Sequence, residues 1–316
     1  MASLVGVFTM SHSPFCYMAP GRWNEVRASR SLRADVPLDD VAANRAKAAR
    51  VAAAFATLRA ELAAARPDVL VVFGDDQLEC FDFRNYPAFA VYAGDKFQGG
   101  LAGGGTATVP GHPALAAALL TGLMRRGFDP AFSLDMPRPE RGIGHAFLRP
   151  AESLTDFATP MVPVFLNCYY APQPTARRCY ELGAAVREIV AAHPEPLRVA
   201  VVGSGGLWHT PRAKDAYLDE AFDRAILAAM LAGDARGMAR HFDGYVVPVG
   251  DASQEIGAPG PGATGLPDTG GPRGGTRETC NWIAAAAVAE GRPATLVDYV
   301  PIYASPIGAA FGYWRA

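Results

Sequence analysis

Residues 69–77 read VLVVFGDDQ, an unbroken apolar run that ends in a glycine and three polar residues. An apolar run without polar alternation is typical of a parallel strand that is buried on both faces. Residues 197–209, LRVAVVGSGGLWH, show the same order of strand, glycine-rich turn and polar side chain. Because ligands of open α/β sheets bind outside the carboxyl ends of the strands, both stretches predict functional residues at one edge of a sheet.

The rest of the chain alternates between apolar runs and helical patterns. Asp39 and Asp40 are suited to cap a long helix over 41–65. Further helices are predicted at 112–126, 174–192, 217–232, 235–242 and 276–289, and strands at 4–10, 69–73, 86–92, 132–136, 161–166, 197–203 and, as the last strand, 294–300. We therefore expect a single α/β domain over 1–316, with a central mostly parallel or mixed sheet flanked by helices.

Two glycine-rich stretches lie outside these elements. Residues 99–105 lack the GxxxxGK[ST] pattern, so they are interpreted as an ordinary loop and not as a phosphate cradle. Residues 250–275 are either a domain linker or a long active-site loop, and the short chain that follows favours the loop.

Composition excludes several classes of protein. Half of the 316 residues are hydrophobic and 19% are charged, which favours a large core over disorder. The formal net charge of -2 gives no indication of nucleic acid or of an anionic membrane surface. The apolar stretches are shorter than the about 20 residues that span a bilayer. Five scattered cysteines without a CxxC pair favour reduced thiols, and we expect a cytoplasmic protein.

Three histidines are candidates for chemistry. His12 lies in the loop SHSP (11–14), where the neighbouring serines can orient an imidazole for metal binding, although a loop histidine bonded to backbone is the alternative. His209 ends the rigid glycine-rich turn and is suited to accept and return a proton at neutral pH. His145, in GIGHAF (142–147), is equally consistent with a structural and a functional role.

Carboxylates and an amide supply the remaining candidates. After the strand 69–73, one of Asp76, Gln77 or Glu79 is expected to face the site, while helix capping or loop solvation is the alternative. Glu278 falls in the first turn of a predicted helix, where a capping acid is common. The apolar residues that follow it favour a buried, inward carboxylate. The partial elbow GSG (203–205) does not support a serine hydrolase.

An ordered set of motifs extends over nearly the whole chain. In sequence they are SHSP (11–14), GDDQ (74–77), GSGGLWH (203–209), LDEAFDR (218–224), RETCNWI (277–283) and DYVP (298–301). This set resembles the class III extradiol ring-cleavage dioxygenases, the superfamily of the protocatechuate 4,5-dioxygenase catalytic subunit. It is most similar to the branch of 3-O-methylgallate dioxygenase-like proteins.

The resemblance implies a non-haem Fe(II) held by two histidines and one glutamate. His12 matches the first histidine and Glu278 the carboxylate, while Gln77 stands where the second histidine would be. We therefore expect the metal ligands His12, Gln77 and Glu278, with Asp76 or Glu79 as alternatives to the amide and Mn(II) as the alternative metal. The resemblance also implies that His209 is the acid/base and that His145 is a second histidine of the pocket.

The expected function is that of an oxidoreductase of aromatic compound catabolism. It would open the ring of a substituted catechol or gallate-type phenol with O2, as a homodimer without a separate small subunit. Residues that could line its pocket are Arg22, Trp23, Tyr169 and Tyr170. The alternatives are a non-catalytic or metal-poor binding or partner protein of the same fold, and a metal-dependent hydrolase that uses the same residues.

Overall fold

The structure is a computed structural model that describes residues 1–210, 213–246 and 264–316. Most of the predicted active-site loop 250–275 therefore lies outside the described residues. The described strands are β1 (Ser3–Met10), β2 (Val69–Gly74), β3 (Phe89–Tyr92), β4 (Lys96–Gly100), β5 (Thr106–Pro110), β6 (Ala131–Ser133), β7 (Met161–Leu166), β8 (Arg198–Ser204), β9 (Thr295–Ile302) and β10 (Ile307–Arg315).

Helices separate most of these strands along the chain. They are α1 (Trp23–Arg27), α2 (Val41–Ala65), α3 (Pro113–Met124), α4 (His145–Pro150), α5 (Ala176–Ala192), α6 (Glu220–Leu231), α7 (Ala235–Gly244) and α8 (Thr279–Val288). Asp40 caps α2 as expected, since its side chain accepts a hydrogen bond from the backbone of Ala43. Within the described ranges, none of these helices has the length and apolarity needed to cross a membrane.

Eight strands form one mixed sheet in the order β6-β3-β7-β2-β8-β1-β10-β9. The four central neighbours β7, β2, β8 and β1 run parallel, with Gly203 of β8 in register between Phe73 of β2 and Thr9 of β1. β3 and β10 are antiparallel to the central strands beside them. The prediction of an α/β fold with a mixed sheet is confirmed, and the carboxyl ends of the four parallel strands meet at one edge.

β2 explains why its apolar run does not alternate with polar residues. Val69, Val71 and Phe73 pack into the layer formed by α3 and α5–α8, whereas Leu70 and Val72 face the layer formed by α2 and α4. All five side chains are fully buried. Full burial of such a side chain contributes about 1.5–3 kcal/mol, so helices on both faces stabilise this strand.

Several predicted boundaries were wrong. The strand at 294–300 is not the last one, because β10 follows it and lies between β1 and β9. Small residues dilute the β signal of its sequence, IGAAFGYWR. The predicted loop 99–105 begins inside β4, which pairs with β5 in a separate two-stranded sheet. The helix expected from residue 276 begins as a 3-10 helix, Gly274–Glu278, and becomes α-helical at Thr279.

Candidate metal centre

Polar side chains from distant parts of the chain meet where the parallel strands end. β1 continues into His12, β2 into Asp75 and β8 into the turn that carries His209. Tyr169 follows β7, and Glu278 is the last residue of the 3-10 helix that precedes α8. The sheet topology therefore explains why five residues that are far apart in sequence share one site.

Glu278 is the central residue of this site. Its Oε2 atom lies 3.1 Å from His12 Nε2 and accepts a hydrogen bond of 3.1 Å from the backbone N–H of Gly206. Its Oε1 atom lies 3.3 Å from His209 Nε2 and accepts a hydrogen bond from the Tyr169 hydroxyl. The carboxylate is 1% exposed, so these contacts replace the water that an exposed carboxylate would have.

His12 directs one ring nitrogen at two carboxylates. Nδ1 lies 3.0 Å from Ser204 Oγ, while the buried Nε2 makes no hydrogen bond and lies 3.9 Å from Asp75 Oδ1. A proton on Nδ1, donated to Ser204, leaves the Nε2 lone pair facing Asp75 and Glu278. Histidines that bind metals use this arrangement, in which the second nitrogen is held by a hydrogen bond.

The electrostatics of the two carboxylates differ. Burial raises the pKa of Asp75 well above its usual value, and the charges of Glu278 and Glu79 raise it further. Burial also disfavours the charged form of Glu278, but His209 and His12 outweigh it and hold the pKa of Glu278 well below its usual value. Two adjacent buried carboxylates repel each other unless a positive charge compensates them.

These residues fit a divalent metal ion. One ligand atom each from His12, Asp75 and Glu278 lies within 4.8 Å of the other two. The unbonded nitrogen and the two carboxylates together offer the imidazole and oxygen donors that first-row divalent metals accept. Among the described residues, this is the cluster of histidine, cysteine or acidic side chains whose ligand atoms are close enough together to share one metal ion.

The family described as the catalytic LigB subunit of aromatic ring-opening dioxygenase matches residues 6–247, well over half of the chain. The chain belongs to the LigB family. This confirms the resemblance to class III extradiol dioxygenases that the ordered motifs indicated.

The LigB-family chain is also similar to curated relatives. It is 37% identical to a gallate dioxygenase of Pseudomonas putida over 105 residues, which cover 32% of the chain and 29% of the relative. It is 34% identical to a 2,3-dihydroxyphenylpropionate/2,3-dihydroxicinnamic acid 1,2-dioxygenase of Photorhabdus laumondii (46% of the chain, 44% of the relative). The enzyme of the same name from Mycobacterium ulcerans is 33% identical (64% of the chain, 56% of the relative). In each case the chain spans less than two thirds of the relative's length.

Gln77 lies beside the cluster of His12, Asp75 and Glu278, and its amide nitrogen faces the two carboxylates. Nε2 is 3.0 Å from the Tyr169 hydroxyl, 3.4 Å from Glu278 Oε1 and 3.5 Å from Asp75 Oδ2. Asp76, in contrast, turns away from the centre, and its carboxylate accepts hydrogen bonds from the backbone N–H groups of Leu78, Cys80 and Phe81. Burial, with the charge of Glu79, raises the pKa of Asp76 to about 7.

Glu79 pairs with His145 beside the centre. Their Oε1 and Nδ1 atoms are 2.8 Å apart, and the His145 ring contacts the His12 ring edge-on, with 4.7 Å between the centroids. Although burial opposes it, the Glu79 carboxylate raises the pKa of His145. The pair thus places a second titratable imidazole next to the three clustered side chains.

His209 is held in place by contacts at both its ring and its backbone. Its Nδ1 lies 3.2 Å from the Leu207 carbonyl, and its backbone N–H donates to Thr276 Oγ1 over 3.1 Å. A Cβ atom at position 275 would lie 2.1 Å from His209 Nε2, so Gly275 is needed for this packing. Burial lowers the pKa of His209, but the Glu278 charge outweighs it and the pKa is raised.

A cavity of about 570 Å³ opens onto the centre. The three predicted histidines, Gln77 and Glu278 all line it. Arg22 and Tyr169 also line it, as expected from the sequence. Trp23 and Tyr170 do not: Trp23 is fully buried in the core, and Tyr170 packs against Tyr86 and Phe83. Three arginines, Arg22, Arg30 and Arg149, are also among the residues that line this cavity.

Sequence reasoning missed three residues of the site. Asp75 was included in the GDDQ motif but was not distinguished from its neighbours, and strand alternation does not apply beyond the end of β2. Asn281, on α8, donates to Asp75 Oδ1 over 3.3 Å and to the Ser204 carbonyl over 2.8 Å. Arg149 lies on α4 one helical turn after His145, so the two side chains share a face of the helix. This spacing could have predicted that Arg149 lies near the site.

Proposed function

We propose that this LigB-family chain is a metal-dependent extradiol dioxygenase. It opens the ring of a substituted catechol or gallate-type phenol: the C–C bond next to the two hydroxyls breaks, and both atoms of O2 enter the product. The buried cluster of His12, Asp75 and Glu278 is the observation that carries the proposal, because His12 and Glu278 line a cavity that His209 also lines. The names of the relatives, which act on gallate and on a dihydroxyphenyl acid, support the same class of substrate.

A divalent metal bound by His12, Glu278 and a residue of the segment 75–77 would supply the positive charge and redox chemistry that a phenolate and O2 require. The chain's own residues move the protons. His209 lines the cavity, and in this proposal its Nε2 accepts the proton of a substrate hydroxyl and returns it when the ring opens. The Leu207 carbonyl near Nδ1 holds the ring orientation for this step.

His145 is the second proton carrier in this proposal. Glu79 stabilises its protonated form, so that a cationic imidazole beside the centre donates to a developing negative charge. The Tyr169 hydroxyl and the Gln77 amide both donate to Oε1 of Glu278. These hydrogen bonds restrict rotation of the carboxylate. Together these residues orient the substrate and keep the proton transfers within the site.

The arginines that line the cavity favour substrates that carry an acid group. Arg149 is 12% exposed and is held by Glu152 through a contact of 2.5 Å, so its guanidinium is already ordered before a ligand binds. An ordered guanidinium binds a carboxylate through charge-assisted hydrogen bonds. We therefore propose a catechol or pyrogallol ring with a carboxylate substituent.

Oxygen uptake tests the proposal directly. The purified chain would be freed of metal, reloaded anaerobically with Fe(II), and given protocatechuate, gallate, catechol, pyrogallol and aminophenol in an oxygen electrode. We expect one O2 consumed per ring and a ring-opened product with the mass of substrate plus O2. Absence of uptake with every phenol would reject the function, and substrate consumed without oxygen would indicate the hydrolase alternative.

A specific observation favours the second candidate, a binding or partner protein of the same fold. Gln77 stands where the resemblance implies a histidine ligand, and loss of a ligand weakens a metal site. If the chain bound phenols but neither metal nor oxygen chemistry could be measured, this candidate would replace the first.

The finer parts of the proposal concern metal, assembly and compartment. We propose Fe(II) as the native metal with Mn(II) as the alternative, a homodimer without a separate small subunit, and a cytoplasmic location. Metal analysis of protein purified anaerobically, light scattering coupled to size-exclusion chromatography, and fractionation of the source cells test these three points separately.

A further inference from the structure

We propose that Asp75, and not Gln77, is the third protein ligand of the metal, so that the centre contains one histidine and two carboxylates. This inference rests on the metal dependence of the proposed function, but not on the identity of its substrate. It assigns Gln77 a different task, as a hydrogen-bond donor that holds the two carboxylates and Tyr169 in place.

The direction of the Gln77 side chain argues against ligation by its carbonyl. Its NH2 group faces a carboxylate oxygen of Glu278, one of Asp75 and the oxygen of Tyr169. Rotating the amide would replace this donor by an oxygen that faces two negatively charged acceptors. The hydrogen-bond network therefore selects the orientation with the nitrogen inward, and a protonated amide nitrogen is not a metal ligand.

Asp75 has the geometry and the environment of a ligand. It is fully buried, and its Oδ1 atom faces the unbonded Nε2 of His12 at 3.9 Å, across a gap that Glu278 also borders. Asn281 donates to the same carboxylate, as outer partners of ligating carboxylates do. In the described parts of the chain, the ion-pair contacts of Asp75 and Glu278 are with histidines alone.

The two other acidic candidates are already engaged. Asp76 accepts three backbone N–H groups of the turn that follows β2, and Glu79 pairs with His145 and accepts the backbone N–H of Gln77. Charge gives the same answer as geometry. A neutral His12 with Asp75 and Glu278 ionised offers two negative charges, which one divalent cation neutralises. A centre with more carboxylate than imidazole also suits Mn(II) and Fe(II) better than softer metals.

Mn(II) binding measures this assignment without any turnover. The metal-free full-length chain would be titrated with Mn(II) by calorimetry and by the loss of the free-ion EPR signal. Asp75→Asn keeps the shape and an acceptor oxygen but removes the charge, so we expect the Mn(II) affinity to fall by more than the about 10–100-fold seen when an outer partner is lost. Gln77→Leu removes the amide and is expected to change the affinity by less than Asp75→Asn does. Asp35→Asn, the same substitution at an exposed carboxylate that pairs with Arg33, is the matched control and should bind as the parent does.

Pulsed EPR of the Mn(II)-loaded parent should report one coordinated histidine nitrogen. Asp75→Asn binding Mn(II) as tightly as the parent would overturn the assignment. So would a loss in Gln77→Leu as large as in Asp75→Asn, or a second histidine nitrogen in the spectrum.

Thermal unfolding keeps a folding defect distinct from loss of a ligand. Asparagine has the shape of the buried carboxyl, whose ionised form the site disfavours, so metal-free Asp75→Asn should be about as stable as the metal-free parent, while the rise in Tm on adding Mn(II) is lost. An unchanged rise in Tm would count against the assignment. A parent that binds Mn(II) through Asp75 but consumes no oxygen would reject the proposed function and leave this inference intact.

Discussion

His209 Nε2 lies 3.3 Å from Glu278 Oε1, so the proposed acid/base directly contacts a proposed metal ligand. The two residues come from different elements, the turn after β8 and the 3-10 helix before α8. The contact links proton transfer to the metal centre, because the charge on the carboxylate sets the proton affinity of the imidazole.

His209→Gln should separate catalysis from metal binding. Removing a general acid/base costs about 10²–10⁴-fold in kcat, whereas the metal affinity should change little because the His12, Asp75 and Glu278 atoms remain. Oxygen uptake and Mn(II) titration on the same samples measure both. His193→Gln, at the far end of α5, is the control and should keep the parent's kcat. A His209 variant that retains full kcat would remove this residue from the mechanism.

Gly205→Ala should disturb the centre through sterics. Gly205 has φ +121, and a Cβ atom there would lie 2.8 Å from the side chain of Glu278 and 3.2 Å from His12 Cε1. Gly104→Ala is the matched control, since Gly104 has φ +92 with open space around it. Both variants incur backbone strain of about 1–3 kcal/mol in unfolding free energy, but only Gly205→Ala should also weaken Mn(II) binding. Equal metal affinities would contradict this role of Gly205.

Arg149→Met should raise KM for acidic substrates selectively. A lost charge-assisted hydrogen bond costs about 1.5–3 kcal/mol, which corresponds to about 10–100-fold in KM for gallate or protocatechuate. Pyrogallol and catechol lack the carboxylate, and their KM values should change little. The exposed Arg84, whose guanidinium pairs with Asp82, provides the control variant Arg84→Met. A uniform rise in KM for all four phenols would indicate a packing defect instead of carboxylate recognition.

Asp223→Asn should change how stability depends on pH. Asp223 is buried, accepts the Trp208 backbone N–H over 2.8 Å and the Tyr299 hydroxyl over 2.7 Å, and burial raises its pKa to about 8. Between about pH 4 and pH 8 the unfolded chain ionises this residue and the folded chain does not, so the parent loses about 1.4 kcal/mol of unfolding free energy per pH unit. Asparagine cannot ionise and avoids that loss.

Denaturant unfolding of the metal-free proteins at pH 5 and pH 8 measures the effect. The stability of Asp223→Asn relative to the parent should increase by a few kcal/mol from the lower to the higher pH. A difference that is the same at both pH values would show that Asp223 is ionised in the folded protein.

Local sequence was sufficient for the central strands and most helices. The apolar run of β2 predicted burial on both faces, and Asp40 marked the start of α2, because these signals depend on neighbouring residues. β10 was missed because its small residues become strand-forming only through pairing with β1 and β9.

The sequence by itself determined the α/β class, the polar residues at the ends of β1, β2 and β8, and, through the ordered motifs, the family. Through the family resemblance, it also predicted that His12, Gln77, His145, His209 and Glu278 belong to one site. Only the tertiary structure decided where the members of GDDQ (74–77) point: Gln77 lines the cavity, whereas Asp75 lies buried beside His12 and Glu278. Beyond the end of a strand the period of two no longer applies, so the direction of Asp75 depends on its packing against α8 and on the hydrogen bond from Asn281.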